Sequence, residues 1–265
     1  GSKNKSGVVA WFYYTSYTIT NRFFQEAKYR LGLNCSIGGT GFATSTQYLA
    51  QRGGWTTMSL TEDFEIQVEA TLAGKRILWN HTTRIYDEKP TRIRASLRQK
   101  TRWAQGHWFV ALRNTGKVFS ALFAKRISLG EALSLLTYMY SLSTYLIALI
   151  QLVISLILML PGFHYQAAPP TLSSLLSGLG IFAYSYFMLF YLADWMDNGI
   201  RFHLRTLPLM IWSVIVNTVI AALSQLAGLW KHRQQQHWVK TEHSIQRNSA
   251  QRAPMAEDER KAESI

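Results

Sequence analysis

A chain of 265 residues is long enough for one or two domains, and its single cysteine, Cys35, excludes an internal disulfide. The formal net charge of +13 suits a partner that carries negative charge, such as anionic lipid or a phosphorylated substrate. The sequence has no basic low-complexity arm and no nucleic-acid-binding motif, so we expect no nucleic-acid partner.

The first part of the sequence alternates between helical and extended patterns. Apolar residues at helical spacing predict a helix over 11–33, and Thr61 is a candidate N-cap for a second helix. Between these helices, residues 36–45 form a glycine-rich loop or strand-turn. The segments 76–80 and 83–90 have the pattern of short strands. Alternating strands and helices predict an α/β fold.

The second part becomes steadily more apolar. A third helix is predicted over 91–113, with a break at "RNTGK", and residues 117–130 have the pattern of an interfacial amphipathic helix. Three stretches without charge follow, each long enough to cross a bilayer: 132–160, 171–193 and 206–230. The tail is polar, and its last twenty residues have the composition of a disordered segment. We therefore expect a water-facing domain, an interfacial helix, a membrane region and a polar tail, at 1–113, 114–130, 131–230 and 231–265.

Acidic residues crowd the first turn of the helix that is predicted to begin after Thr61. Glu62 and Asp63 could simply complement the helix dipole, which stabilises a helix by about 0.3–1 kcal/mol. One of these carboxylates could instead act as a general base at the mouth of a pocket. The motif alone leaves both interpretations open.

A second motif, Q-x-x-R-W, lies on the third predicted helix. Gln99, Arg102 and Trp103 are three or four residues apart and therefore share one face of that helix. Arginine can bind a phosphate through two hydrogen bonds, tryptophan can stack on a sugar, and a glutamine amide can hold a hydroxyl group. Arginine and tryptophan are also common at membrane interfaces, which is the alternative explanation.

The two motifs together resemble a known family. T-E-D at 61–63, followed 36 residues later by Q-x-x-R-W and then by membrane helices, resembles the membrane-integrated family 2 glycosyltransferases. These include the cellulose, hyaluronan, chitin and poly-N-acetylglucosamine synthases. The resemblance covers residues 7–113 in detail and the rest in architecture. It implies the C-terminal portion of a GT-A-type α/β domain, followed by an interfacial helix and about three transmembrane helices.

The resemblance also implies roles for the motif residues. Asp63, with Glu62 beside it, would be the general base that takes a proton from the acceptor hydroxyl. Arg102, with Gln99, would hold the acceptor end and the leaving diphosphate, and Trp103 would stack under the acceptor sugar. The reaction would invert the anomeric centre and form a β-linkage.

Smaller matches extend this resemblance. "GGTGFA" at 38–43 resembles the glycine-rich segment beside the acceptor site, which would place Gly39 and Thr40 there, although a plain tight turn uses glycines equally. "HWVKTEH" at 237–243 loosely resembles the gating loop of the synthases, and an ordinary juxtamembrane cluster of aromatic and basic residues is the alternative. The residues that would close over the nucleotide are Trp238, Lys240, Thr241 and His243.

Part of the family pattern does not occur in this sequence. The D-x-D motif that holds the divalent metal is absent, so we expect a C-terminal fragment that is inactive in isolation. The implied cofactor is Mg²⁺ or Mn²⁺, with its ligands outside this chain. The implied donor is a nucleotide-sugar, for which we expect a UDP-sugar of glucose or N-acetylglucosamine.

The remaining expectations concern the acceptor and the location. The acceptor would be a growing polysaccharide, which makes the enzyme processive, or a lipid-linked acceptor that receives a single sugar. The protein would be integral to the cell membrane or inner membrane, with its catalytic part in the cytoplasm. A non-catalytic membrane partner or a transporter is the alternative from another class.

Overall fold

The computed structural model describes residues 7–83, 85–141, 172–198 and 206–236, with scattered positions between 147 and 157. Helices dominate this part of the chain. In chain order they are α1 (Val8–Ile19), a π-helical segment (Thr20–Gln25), α2 (Glu26–Arg30), α3 (Thr46–Gln51), α4 (Glu62–Leu72), α5 (Ile93–Phe123), α6 (Leu129–Tyr140), α7 (Leu172–Asn198) and α8 (Leu207–Trp230).

The predicted α/β fold is wrong, because no β-strand occurs in the described ranges. The segments 76–80 and 83–90 form no strand where they are described, and Asp87 alone is in an isolated β-bridge. One backbone bond joins two extended segments, from the Cys35 N–H to the Ile77 carbonyl at 3.1 Å. The Asn34 side chain then accepts from the Ile77 N–H at 3.0 Å, where a second backbone bond would be needed to continue a ladder. The extended pattern therefore forms a loop.

The helix predicted over 11–33 is confirmed, with a π-helical segment between α1 and α2. It ends beside Gly32, whose φ of 71° lies in the left-handed region that favours glycine. This helix also carries aromatic residues that contact the helix with the Q-x-x-R-W motif.

The break predicted at "RNTGK" is wrong, because α5 continues through these residues. The Asn114 amide donates to the Val110 carbonyl at 2.8 Å, and the Thr115 hydroxyl donates to the Ala111 carbonyl at 2.7 Å. These polar side chains are satisfied within the helix and do not compete with its backbone.

The prediction of a separate interfacial helix over 117–130 is also wrong. The first half of this range is the end of α5, and the chain turns at Lys125, whose φ is 55°. The next helix begins after Ser128, whose hydroxyl accepts from the Glu131 N–H at 3.1 Å and caps α6.

Helix α5 lies at the centre of the packing. Helices α4 and α6 cover one side of it, and α8 lies along another. The main apolar cluster joins α4, α5 and α6 through buried side chains that include Phe64, Val68, Val110, Leu135 and Met139. A second cluster joins the end of α1 to α7 and α8 through Ile19, Phe187, Phe190 and Met210.

The expectation of about three transmembrane helices is also wrong for the described chain. One described helix, Pro208–Trp230, is long and apolar enough to cross a membrane, and half of its most apolar window is buried in the protein. This burial is equally typical of a core helix. The stretch 132–160 begins in α6 and continues outside the described residues, and 171–193 overlaps α7.

The end of α7 is fixed to α1 by charged and polar contacts. The Tyr14 hydroxyl donates to Asp194 Oδ1 at 3.2 Å, and Arg22 Nη1 lies 3.5 Å from Asp197 Oδ1. Helix α7 therefore packs on the helix that carries the site aromatics.

Candidate active site

A glycine brings the two sequence motifs together. A Cβ atom at Gly106 would lie 2.3 Å from Thr61 Oγ1 and 2.8 Å from the Thr61 backbone nitrogen. Because Gly106 has no side chain, the first residue of T-E-D packs directly on α5, one turn after Arg102. Gly106 was not among the residues that we expected at the site, although a glycine within a helical pattern is a signal of close packing.

Thr61 occupies the predicted N-cap position, but its side chain makes no capping hydrogen bond. The acidic residue that supports this end of α4 is Glu65, which is buried and accepts from the backbone N–H groups of Met58 at 2.9 Å and Ser59 at 2.7 Å. Glu65 therefore holds the preceding loop. Glu62 and Asp63 are half-buried and lie beside an exposed loop instead.

That loop contains Gly39, as the resemblance implies. A Cβ atom at Gly39 would lie 3.3 Å from Asp63 Oδ2 and 3.9 Å from Glu62 Oε1. The backbone N–H groups of Gly39 and Phe64 both donate to the Asp63 carboxylate, and the Phe64 bond to Oδ1 is 2.8 Å long. A side chain at position 39 would press on the carboxylates, so glycine keeps them accessible from the loop side.

Burial raises the pKa of the Asp63 carboxyl above its ordinary value. The Phe64 N–H lowers this pKa, the negative charge of Glu62 raises it, and the Gly39 N–H lowers it, all to a smaller extent than burial. A carboxylate with a raised pKa is a stronger base than an exposed aspartate. The environment therefore favours proton abstraction by Asp63.

Arg102 supplies positive charge next to this base. Burial lowers the pKa of the half-buried Arg102 guanidinium, and the charges of Glu62 and Asp63 raise it, which shows that both carboxylates lie near it. Guanidinium groups stay charged in proteins. The structure thus places a carboxyl group with a raised pKa and a cation that could bind a diphosphate at the same junction of α4 and α5.

Gln99 and Trp103 are brought to a residue of α1. The Tyr13 hydroxyl donates to Gln99 Oε1 at 2.9 Å. The rings of Tyr13 and Trp103 meet edge to face, with centroids 6.2 Å apart and an interplanar angle of 85°. Sequence reasoning missed Tyr13, because its contacts with α5 span more than 80 residues of chain.

Thr40 makes a different contact. Its hydroxyl donates to Asp87 Oδ2 at 3.3 Å, and Asp87 Oδ1 lies 2.8 Å from Lys89 Nζ. Lys89 Nζ in turn lies over the ring of Tyr17, 4.1 Å from its centroid. Thr40 is therefore at the rim of the site, linked to the loop at 86–90.

The segment after α8 also reaches the site, which sequence reasoning did not anticipate. Gln235 Oε1 accepts from the Leu60 N–H at 2.7 Å, immediately before T-E-D. Its Nε2 donates to the Gln105 carbonyl of α5 at 3.2 Å, and Gln105 Nε2 donates to the Lys231 carbonyl at 3.3 Å. The possible gating residues Trp238, Lys240, Thr241 and His243 lie outside the described residues.

The described residues do not fit a metal site. Across 7–83, 85–141, 172–198 and 206–236, no group of three or more His, Cys, Asp and Glu side chains could hold a metal ion. Asp63 is instead held by backbone N–H groups and lies beside Arg102. No step of the chemistry below therefore uses a metal held by these residues.

Comparisons with known proteins add an independent line of evidence. A family model described as "Glycosyl transferase family group 2" matches residues 2–225. A relative from Bacillus subtilis (strain 168), named "Probable glycosyltransferase YdaM", is 32% identical over 92 residues. The match covers 35% of this chain and 22% of that relative, so it spans about a fifth of the relative's length. No solved structure matches.

Proposed function

This chain belongs to glycosyl transferase family group 2, and we propose that its T-E-D and Q-x-x-R-W motifs form the base and acceptor side of an inverting transfer. The observation that supports this most strongly is the α4–α5 junction. There Asp63, with its raised pKa, lies near Arg102 because Gly106 lets Thr61 pack on α5. When a hydroxyl attacks a nucleotide-sugar, a base takes the proton of the hydroxyl and a cation binds the leaving diphosphate. The junction offers a candidate for each of these two groups.

The proposed reaction is a single displacement. Asp63 takes the proton of an acceptor hydroxyl, whose oxygen forms a bond to the anomeric carbon of the donor. The bond from that carbon to the diphosphate breaks, and the nucleoside diphosphate leaves with the bonding electrons. Arg102 stabilises the charge that develops on the leaving diphosphate, as positively charged groups do in such transfers. Attack opposite the leaving group inverts the anomeric centre.

We further propose a UDP-sugar of glucose or N-acetylglucosamine as donor and a growing β-linked polysaccharide as acceptor. This part rests on the resemblance of T-E-D and Q-x-x-R-W to the polysaccharide synthases. Retention of long products during turnover would support processive synthesis, whereas release of singly extended products would favour a lipid-linked or other simple acceptor.

The test of the proposed function is turnover by the full-length protein in membranes. Release of nucleoside diphosphate is measured with a panel of UDP-sugars and Mg²⁺ or Mn²⁺, for the wild type, Asp63→Asn and Glu69→Gln. We expect Asp63→Asn to reduce turnover by about 10²–10⁴-fold, the range for loss of a general base. Glu69→Gln is the matched control, because Glu69 lies on the same helix and pairs with Arg52. Turnover that survives in Asp63→Asn would exclude Asp63 as the base.

We propose that the exposed face of α8 contacts lipid. This face carries Trp212, Val219, Leu223, Leu226 and Trp230, of which Trp230 is 87% exposed. Tryptophan is enriched at membrane–water interfaces, and the two tryptophans flank the apolar residues between them. The buried side of α8 packs against α5 and carries polar as well as apolar side chains, and the polar ones are Ser213, Asn217, Ser224 and Gln225.

The contacts of Gln235 constrain the topology of such a helix. Because Gln235 binds Leu60 and Gln105, the end of α8 lies on the same side of a membrane as T-E-D. Any crossings between α5 and Lys231 must therefore be even in number. In a Cys35→Ser background, Arg113→Cys and Gln234→Cys should react with an impermeant maleimide from the same side of sealed vesicles. Labelling from opposite sides would contradict this topology.

A further inference from the structure

One buried hydroxyl connects α1 to the Q-x-x-R-W motif. Tyr13 is 2% exposed, and its hydroxyl donates to Gln99 Oε1 at 2.9 Å. The same hydroxyl shares a hydrogen bond with Ser96 Oγ at 3.1 Å, and Ser96 is fully buried. Ser96 and Gln99 are three residues apart and present both partners on one face of α5.

The ring of Tyr13 is fixed on that same face. Its edge-to-face contact with Trp103 has a centroid distance of 6.2 Å, and Lys100 Nζ lies 5.2 Å from the ring centroid. Edge-to-face aromatic pairs are attractive, and the Lys100 amino group packs over the face of the same ring. Tyr13 therefore contacts α5 through positions 96, 99, 100 and 103, and two of these belong to the motif.

We propose that Tyr13 is a positioning residue for the acceptor end of the site, where it fixes the Gln99 amide by a hydrogen bond and the Trp103 ring by an aromatic contact. This inference rests on the proposed function, in which Gln99 and Trp103 contact the acceptor sugar. Burial raises the pKa of Tyr13 above its ordinary value, so the hydroxyl keeps its proton and remains a donor.

A purely apolar core would not need this hydroxyl. Phenylalanine would fill the same space, and burying a hydroxyl is unfavourable unless it is hydrogen-bonded. Here the hydroxyl engages the carbonyl end of the Gln99 amide, which also determines where the NH₂ end points. The hydrogen bond thus selects one orientation of an amide that could otherwise rotate by half a turn. Recognition of a sugar hydroxyl by Gln99 depends on the orientation of that amide.

The test compares two neighbouring tyrosines in the full-length protein in membranes. Tyr13→Phe removes the hydroxyl that orients Gln99, and Tyr14→Phe removes a hydroxyl on the same helix that binds Asp194. Turnover is measured with UDP-glucose and cellobiose, and with UDP-N-acetylglucosamine and N,N′-diacetylchitobiose, at varied donor and acceptor. Thermal unfolding of each variant gives its stability, and Ser96→Ala serves as a second variant that removes the other partner of Tyr13.

We expect Tyr13→Phe to raise the acceptor KM by about 2- to 10-fold, which corresponds to the net contribution of one hydrogen bond. The donor KM stays unchanged, Tyr14→Phe leaves the acceptor KM unchanged, and Ser96→Ala shifts it in the same direction by less than Tyr13→Phe. Equal acceptor KM values in Tyr13→Phe and the wild type would overturn the positioning role, as would an equal rise in Tyr14→Phe. Absence of turnover in the wild type would instead overturn the proposed function, and this role with it.

Discussion

Two faces of α5 bury polar groups for different purposes. On the face toward α4, Arg102 lies near the carboxylates of Glu62 and Asp63, beside an exposed loop. On the face toward α8, Lys100 Nζ donates to Asn217 Oδ1 at 3.0 Å, and Trp108 Nε1 donates to Gln225 Oε1 at 2.9 Å. The first face groups charges beside an exposed loop, and the second pairs half-buried polar side chains of α5 with buried ones of α8.

Both faces depend on a glycine that allows close approach. Gly106 lets Thr61 pack on α5, and Gly228 lets α8 approach Ala104, where a Cβ atom would lie 2.4 Å from the Ala104 Cβ. Burial of polar groups alone therefore does not identify the reactive face. The difference is that the face toward α4 has a carboxylate and a cation near each other, beside an exposed loop.

The largest expected effect follows from adding a side chain at Gly106, where α4 packs closely on α5. Gly106→Ala puts a Cβ atom 2.8 Å from the Thr61 backbone nitrogen, so α4 must move away from α5. We expect a loss of about 1–3 kcal/mol in the free energy of unfolding, as for overpacking, and a severe loss of turnover. Denaturant unfolding and nucleotide release measure the two effects. Gly116→Ala on the same helix is the control, because nothing lies within 4 Å of its Cβ position.

Adding a side chain at Gly228, where α8 packs closely on α5, should lower the stability of the protein without lowering the turnover of folded molecules. Gly228→Ala places a Cβ atom 2.8 Å from the Ala104 carbonyl carbon, and we expect a loss of about 1–3 kcal/mol. Turnover per folded molecule should remain near the wild-type value, because neither Gly228 nor Ala104 belongs to the motifs that carry the proposed chemistry. Gly178→Ala, with an open Cβ position, is the control. Loss of turnover in folded Gly228→Ala would show that the two faces are not separable.

The half-buried lysine on the α8 face should make stability depend on pH. Burial lowers the pKa of Lys100 to about 7, whereas an unfolded chain keeps a lysine pKa near 10.4. Between these values the unfolded state binds the proton and the folded state does not, so the free energy of unfolding rises as pH rises from about 7 to about 10. Lys100→Met should remove this rise, and Lys117→Met, at an exposed position of α5, should keep it. An equal rise in both variants would contradict the assignment to Lys100.

The smallest expected effect is a shift in the pH dependence of turnover. The acid limb should lie above the ordinary pKa of aspartate, because burial raises the pKa of Asp63 and the base is lost on protonation. Glu62→Gln removes a negative charge that raises this pKa, so the acid limb should move to lower pH. Glu69→Gln should leave the limb in place. A shift to higher pH in Glu62→Gln would be inconsistent with the charge effect.

Sequence reasoning found the helices better than it found their contacts. Helical spacing located the helix over 11–33 and the start of α4, since amphipathic periodicity is a local property. The segments 76–80 and 83–90 have a strand pattern, but a strand forms only with a partner, and at Ile77 the partner position is taken by the Asn34 side chain. A short apolar run does not reveal whether a partner strand is available.

The candidate site shows the same difference between local motifs, which the sequence reveals, and long-range contacts, which it does not. Gly39, Asp63 and Arg102 come from motifs, and the structure places them together, although their catalytic roles stay predictions. Tyr13 and Gln235 lie far along the chain from their partners Gln99 and Leu60, and no periodicity signals such contacts. The pattern over 117–130 was also misinterpreted as a separate interfacial helix, because alternation of apolar and basic residues does not tell where one helix ends and the next begins.

The most direct test of the separation between the faces compares Arg102→Gln with Trp108→Phe. Nucleotide release and the melting temperature are measured for both variants in the full-length protein, with the donor that the wild type uses. We expect Arg102→Gln to reduce turnover by about 10²–10³-fold, the range for removing one group that stabilises transition-state charge. Trp108→Phe should lower the melting temperature while folded molecules keep their turnover. The opposite pattern, with turnover retained in Arg102→Gln and lost in folded Trp108→Phe, would contradict the assignment of the chemistry to the α4 face.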